Sequence, residues 1–290
     1  MTSDKTSRQI KLRDGRILAY SEYGAPDGKP VFHCHGHPGS RLDYSVFDSD
    51  NIAAELGLRI IAIDRPGHGL SDFQPGRQML DWPDDVCAVA DSLGLDRFGV
   101  MGISGGGPYA AACAYKIPER VTTTVIASGM GPAEAPGMRD GHAWKFAAGR
   151  GRFMRTVTLW FMSLGLSKKP EMFAGKMVDA LEGPDRALVL AMPELAGKVT
   201  EALFVEAFRG GSAGVFHEAG LYAAPWGFRL EDISAEVHLR HGTEDPNVPV
   251  SVGRYVADAL PNCKATFTEN EGHFSLSYNH MREFLEVLAG

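Results

Sequence analysis

The stretch "FGVMGISGGGPYAAACAYKI", residues 98–117, carries the architecture of the chain. It passes from a short apolar run through G-x-S-x-G at 102–106 into an alanine-rich segment of helical character. A serine between a buried strand and a helix must sit on a sharp turn. Flanking glycines permit that turn, because without a Cβ they let strand and helix approach closely. The helix that follows aims its N-terminal amides and positive dipole end at the Ser104 oxygen. The pattern recurs as "GGSAG" at 210–214, but there it follows "EALFVEAFRG", which has helical periodicity. Ser212 is therefore expected in a helix-end turn, and Ser104 is the candidate nucleophile.

Outward from this turn the chain alternates strands and helices. Upstream, "RQIKLRDGRILAYSEYG" reads as two strands joined at Asp14-Gly15, and "PVFHC" and "RIIAID" as further strands. Helices are expected around 45–56 and over 82–94, the second with Pro83 in its first turn. Downstream, "VTTTVIAS", "AEVHLRHG" and "ATFTE" read as strands, with helices near 249–260 and in "NHMREFLEVLAG". Strands alternating with helices predict an α/β fold, a mostly parallel central sheet with helices on both faces. The rhythm breaks in the middle, where no convincing strand is found. The expected organisation is a core domain from 1–130 and 230–290, interrupted by a helical insertion over 131–229.

With 290 residues, 44% hydrophobic, the chain is long enough for one large domain and too apolar for disorder. A net charge of −7 offers no electrostatic case for nucleic acid or an anionic membrane as partner. The longest apolar run, "TVTLWFMSLGL" at 156–166, is too short to span a bilayer. Four scattered cysteines and a polar N-terminus without a signal-like core suit a reduced, cytoplasmic setting. The expected partner is a small-molecule substrate.

A serine hydroxyl needs a base, and the base needs a carboxylate to orient it. "ENEGHFSL" places His273 in a loop directly after the last predicted strand, with Gly272 allowing close approach. "HGTEDPNVP" places Asp245 after the preceding strand, its course fixed by Pro246 and Pro249. All three residues follow C-terminal strand ends, where open α/β sheets build their sites. Glu244 competes with Asp245 as the acid, and His241, His280 and His217 compete with His273 as the base.

The elements "GISGG", "HGHPGS", "DRPGHGLSD", "HGTEDPNVP" and "EGHFSL", in this order, resemble the α/β-hydrolase fold superfamily over nearly the whole chain. The resemblance implies a Ser104–Asp245–His273 triad. It also implies an oxyanion hole made by the backbone N–H groups of His37 and Gly105, without cofactor or metal. His33, His35 and His37 alternate as metal ligands on a strand would. No carboxylate or cysteine elsewhere in the chain completes a recognisable ligand set, so His33 and His35 are expected to be buried and hydrogen-bonded. The ring of His37 is a candidate to line the pocket and donate to a polar or acidic substrate group. "DRPGHGLS" is expected to be a structural turn, with no direct role for His68.

The insertion resembles the helical cap of these enzymes. Its aromatic and methionine residues suggest an apolar cleft, with Trp144 and Trp160 as candidate substrate contacts. The implied activity is hydrolysis of a carboxylic ester, lactone or thioester through an acyl-enzyme on Ser104. The alternatives are amide or peptide cleavage with Glu194, Glu201 or Glu206 holding an amine, C–C bond hydrolysis, cofactor-free perhydrolysis, and a non-catalytic receptor on the same fold.

Overall fold

The computed structural model describes residues 5–147 and 170–290. Among these residues eight strands form one sheet: β1 (Arg8–Lys11), β2 (Ile17–Gly24), β3 (Lys29–Cys34), β4 (Leu58–Ile63), β5 (Phe98–Ile103), β6 (Val121–Ala127), β7 (Val237–Gly242) and β8 (Cys263–Thr268). Their order is β1-β2-β4-β3-β5-β6-β7-β8. The β1–β2 and β2–β4 pairs are antiparallel, and every pairing from β4 to β8 is parallel. All six residues of β5 are buried. That burial explains why its sequence is a continuous apolar run rather than an alternating one, since a parallel sheet is covered on both sides.

The helices divide between the two faces. The core on one face includes Trp82 of α2 (Trp82–Ser92) and Tyr109 of α3 (Gly107–Lys116), with Phe32 and Phe98 from the sheet. The other face packs α1 (Asp50–Glu55) and the C-terminal helix against Ile60, Ala62 and Met101. Between β6 and β7 the described residues form helices and no strand: α4 (His142–Ala147), α5 (Pro170–Ala180), α6 (Gly183–Ala191), α7 (Pro193–Val199), a π-turn at Thr200–Val205, and α8 (Ala213–Ala223). The order closes with α9 (Val250–Ala259) before β8 and α10 (His273–Ala289) after it.

Three local expectations need correction. The segment expected as a helix around 45–56 is a short 3-10 turn, Asp43–Phe47, followed by the one-and-a-half-turn α1. Ser212 does not end a helix; it is the N-cap of α8. The closing helix begins at His273, six residues before the segment "NHMREFLEVLAG", so His273 lies in its first turn and not in a loop. Its polar start, "EGHFS", hides the helix from an apolar-periodicity reading, because the stabilising contacts there come from elsewhere in the chain.

Candidate active site

Ser104 leaves the end of β5 with φ of 55°, a left-handed conformation that costs a non-glycine residue roughly 1–2 kcal/mol. The glycines around it have separate duties. A Cβ on Gly102 would strike the Gly106 carbonyl, and one on Gly106 would fall on the Cys34 carbonyl of β3. A Cβ on Gly105 would lie 2.6 Å from His37 Cβ and 3.0 Å from His37 N. The turn is thus pressed against the loop that follows β3.

Asp245 follows β7 and is buried. Its Oδ1 accepts the N–H groups of Asn247 (2.8 Å) and Val248 (2.9 Å), and its Oδ2 lies 2.7 Å from His273 Nδ1. Burial pushes the Asp245 pKa up, but the charge and hydrogen bond of His273 outweigh it and hold the carboxyl below its ordinary range. Burial likewise pulls the His273 pKa down. The charge and hydrogen bond of Asp245 outweigh that effect, aided by the charges of Asp185 and Asp43, so the imidazole titrates above its ordinary 6.5. With Nδ1 engaged by Asp245, Nε2 is the ring nitrogen left to act as a base. Ser104 and His273 line the same cavity. They share no hydrogen bond among the described residues, a contact that in such sites often tightens only with substrate bound.

The competing residues are otherwise engaged. His241 Nε2 contacts the Val248 carbonyl (2.8 Å) and stands 3.8 Å from Asp245. His280 lies between Glu283 and Glu271, and His217 contacts the Arg77 carbonyl. Glu244 is exposed.

The loop His35–Gly36–His37 is held from both sides. Gly36 N donates to Asp43 Oδ2 (2.6 Å), while Arg65 Nη2 donates to the Gly36 carbonyl (2.7 Å). In a trans peptide C=O and N–H point in opposite directions, so a guanidinium on the Gly36 carbonyl turns the His37 N–H to the far side of that peptide. The His37 N–H has no backbone or side-chain acceptor among the described residues. From the other direction, Tyr222 Oη donates to the Gly105 carbonyl (2.8 Å).

Behind the loop stands a carboxylate that no sequence motif singles out. Glu218 of α8 is fully buried. Arg65 donates to its two oxygens from Nε (2.7 Å) and Nη2 (3.0 Å), and Arg77 Nη2 (2.7 Å) and Tyr109 Oη (2.8 Å) donate to Oε1. The rings of His37 (Nδ1, 2.9 Å) and His68 (Nε2, 3.3 Å) reach Oε2. Burial alone would raise the Glu218 pKa; the charges of Arg65 and His68 and the bond from His37 overcome it and hold it well below the carboxylate range. Burial lowers the His37 pKa despite Glu218, which favours the neutral ring, and Nδ1 is the nitrogen that faces the carboxylate.

These contacts revise the three-histidine stretch. His37 does line the cavity; its Nδ1 is engaged by Glu218, and its Nε2 has no hydrogen-bond partner among the described residues. His35 is buried and hydrogen-bonded as expected, with Nε2 accepting from Arg65 N (3.1 Å) and Nδ1 contacting the Gly36 carbonyl (2.9 Å). His33 is buried without a hydrogen-bond partner among the described residues; Asp43 stands 3.9 Å away. His37, His68 and Glu218 do bring three ligand-type atoms within 4.8 Å of one another, a cluster invisible at a separation of 150 residues or more. Two guanidinium groups already neutralise that carboxylate, and their positive charge opposes a cation there.

The cavity beside Ser104 holds about 320 Å³. Its apolar wall includes Phe47, Ile103, Phe146, Met177, Leu203 and Phe204. Trp144 is not part of it: its α4 neighbours Ala143 and Phe146 face the cavity, while Trp144 packs against the core beneath Arg139. Trp160, with Phe153, Phe161 and Met162, lies outside the described residues. Glu206 pairs with Arg41 (2.6 Å) and Arg209 (3.2 Å), and Glu194 and Glu201 are exposed away from the cavity lining.

Residues 29–279 match the family described as alpha/beta hydrolase fold. Over 129 residues the chain is 38% identical to a non-heme chloroperoxidase of Streptomyces lividans, covering 42% of this chain and 45% of that protein. It is 26% identical over 303 aligned positions to a 2-hydroxy-6-oxononadienedioate/2-hydroxy-6-oxononatrienedioate hydrolase of Paraburkholderia phymatum, covering 99% and 96%. Several of the curated relatives are matched over only about half of their length. Among solved structures, an alpha/beta hydrolase fold protein from Nakamurella multipartita superposes with a TM-score of 0.72 at 24% identity, covering 98% and 99% of the two chains.

Proposed function

The chain belongs to the alpha/beta hydrolase fold family, and from that premise we propose that it is a serine hydrolase cleaving a carboxylic ester of a largely apolar small molecule. The observation that carries this reading is the His273–Asp245 pair at 2.7 Å, opening on the cavity that Ser104 lines from a left-handed turn. Ser104 Oγ attacks the ester carbonyl while His273 Nε2 takes its proton; Asp245 keeps the imidazole in the Nδ1–H tautomer and stabilises its charged form. The amides of His37 and Gly105 receive the oxyanion. Collapse of the tetrahedral intermediate expels the alkoxide, which leaves with the proton from His273. Water, deprotonated by the same nitrogen, then releases the acid and restores Ser104.

The segment 131–229 acts in this reading as a cap, contributing Phe146, Met177, Leu203 and Phe204 to the acyl or alkyl pocket. The described lining carries the carboxylates of Asp43 and Glu182 and no lysine or arginine. That balance favours a neutral ester over a dioate. Of the glutamates expected to hold an amine, Glu206 is paired with Arg41 and Arg209, and Glu194 and Glu201 are not in the described lining.

The test is turnover of p-nitrophenyl esters of graded acyl length by wild type and Ser104→Ala. The variant is expected to lose roughly 10⁴–10⁶-fold in kcat. Because His273 must be neutral to accept the proton and its pKa is raised, kcat/KM should climb with pH through an apparent pKa above 6.5. Turnover that survives the loss of Ser104, or a flat profile from pH 5 to 8, would rule the mechanism out.

A further inference from the structure

We propose that Asp185 is a positioning residue for His273: from α6 it caps the helix that begins at the catalytic base and fixes the imidazole opposite Ser104. The proposal rests on the triad reading and adds to it a residue from the segment between β6 and β7. The first turn of any helix leaves N–H groups without intrahelical partners, and they are usually satisfied by the side chain of the N-cap residue. Here the N-cap is Gly272, which has no side chain to offer. The Asp185 carboxylate takes its place across 88 residues of sequence. Oδ2 accepts the N–H of His273 (2.9 Å), and Oδ1 accepts those of Phe274 (2.9 Å) and Ser275 (2.9 Å). Ser275 Oγ accepts the N–H of Gly272 (2.8 Å), which completes the turn.

Gly272 is itself explained by this arrangement. Its φ of −94° is open to any residue, so conformational freedom is not the reason for glycine there. A Cβ at that position would lie 2.5 Å from Asp185 Oδ1. Asp185 is fully buried although its helix neighbours Gly183, Arg186 and Ala187 are exposed. A buried carboxylate is costly unless hydrogen-bonded, and backbone N–H groups at the positive end of a helix satisfy it.

Among the described residues, the charged and titratable groups around His273 come from four elements: Asp245 from the loop after β7, His241 from β7, Asp43 from the turn after β3, and Asp185 from α6. Of the three carboxylates, Asp245 bonds the imidazole and Asp185 bonds the backbone of the same residue. Removing the Asp185 charge therefore acts on both the placement and the basicity of His273. Without that anion the imidazolium is less favoured, and the acid limb of activity moves to lower pH.

The experiment compares wild type, Asp185→Asn and Gly272→Ala. It uses NMR titration of the His273 ring, assigned with His273→Gln, together with kcat and KM on a p-nitrophenyl ester. Asp185→Asn should lower the His273 pKa by about half a unit or more and lower kcat about tenfold with KM changed less than twofold. Gly272→Ala, which displaces the carboxylate without removing it, should act in the same direction and provides the measurement if Asp185→Asn fails to fold. A folded variant with an unchanged His273 titration and unchanged kcat, whatever its melting temperature, would reduce Asp185 to a helix cap and overturn the proposal. Labelling of Ser104 by a fluorophosphonate tests the triad separately. If wild type neither labels nor turns over esters, that reading fails while the His273 titration still decides the role of Asp185.

Discussion

Arg65 shows how one side chain can serve a site it does not enter. Its guanidinium is fully buried, and it joins the Glu218 carboxylate to the carbonyls of His35 and Gly36. The fork geometry matters here, because a lysine ammonium is a point charge that cannot span both the carboxylate and two carbonyls. Arg65→Lys should leave the ion pair with Glu218 in place and free the Gly36–His37 peptide to rotate. We expect kcat to fall by roughly 10-fold or more with little change in KM, since an oxyanion donor acts in the transition state. Equal kcat for the two proteins in steady-state ester hydrolysis would mean that Asp43 alone holds the loop. Arg65 was visible in "DRPGHGLSD" only as part of a turn; its partner is 153 residues away, and nothing local announces it.

The element that the site depends on most is the β5–turn–α3 unit. Its glycines can be told apart by what a methyl group would meet. At Gly106 it would collide with the β3 backbone at Cys34, which cannot yield without breaking the sheet. At Gly105 it would meet the His37 side chain, the His37 N and the Tyr222 hydroxyl, of which the side chains can shift. Gly106→Ala is therefore expected to destabilise the fold by about 3 kcal/mol or more, read from urea unfolding. Gly105→Ala should cost less stability and more activity. The reverse ranking would show that the turn is not wedged against β3. This unit was readable from sequence because strand, turn and helix are contiguous and each obeys a local rule. The start of α10 was not, because its cap is a side chain from α6.

For the whole molecule, the buried histidines set the response to acid. Burial lowers the pKa of His35, His37 and His241, whereas His273 is raised. A group lowered in the fold stabilises it above the unfolded value near 6.5, and that contribution is lost as pH falls through the folded value. A raised group does the opposite: its contribution is present below 6.5 and is lost as pH rises through its folded value. Three lowered groups against one raised predict that the urea midpoint falls between pH 7 and pH 5; a midpoint that rises would contradict the burial of these rings as neutral species. Sequence by itself determined the sheet, its parallel centre, the strained serine turn and the strand end that bears Asp245. Each of these follows from periodicity, glycine or turn chemistry over fewer than about twenty residues. Only the tertiary structure could decide that the His37 ring faces Glu218, that Trp144 turns to the core, and that Asp185 caps the helix of His273. Those outcomes depend on which buried charge meets which partner, and desolvation makes that choice strict only after distant segments have packed together.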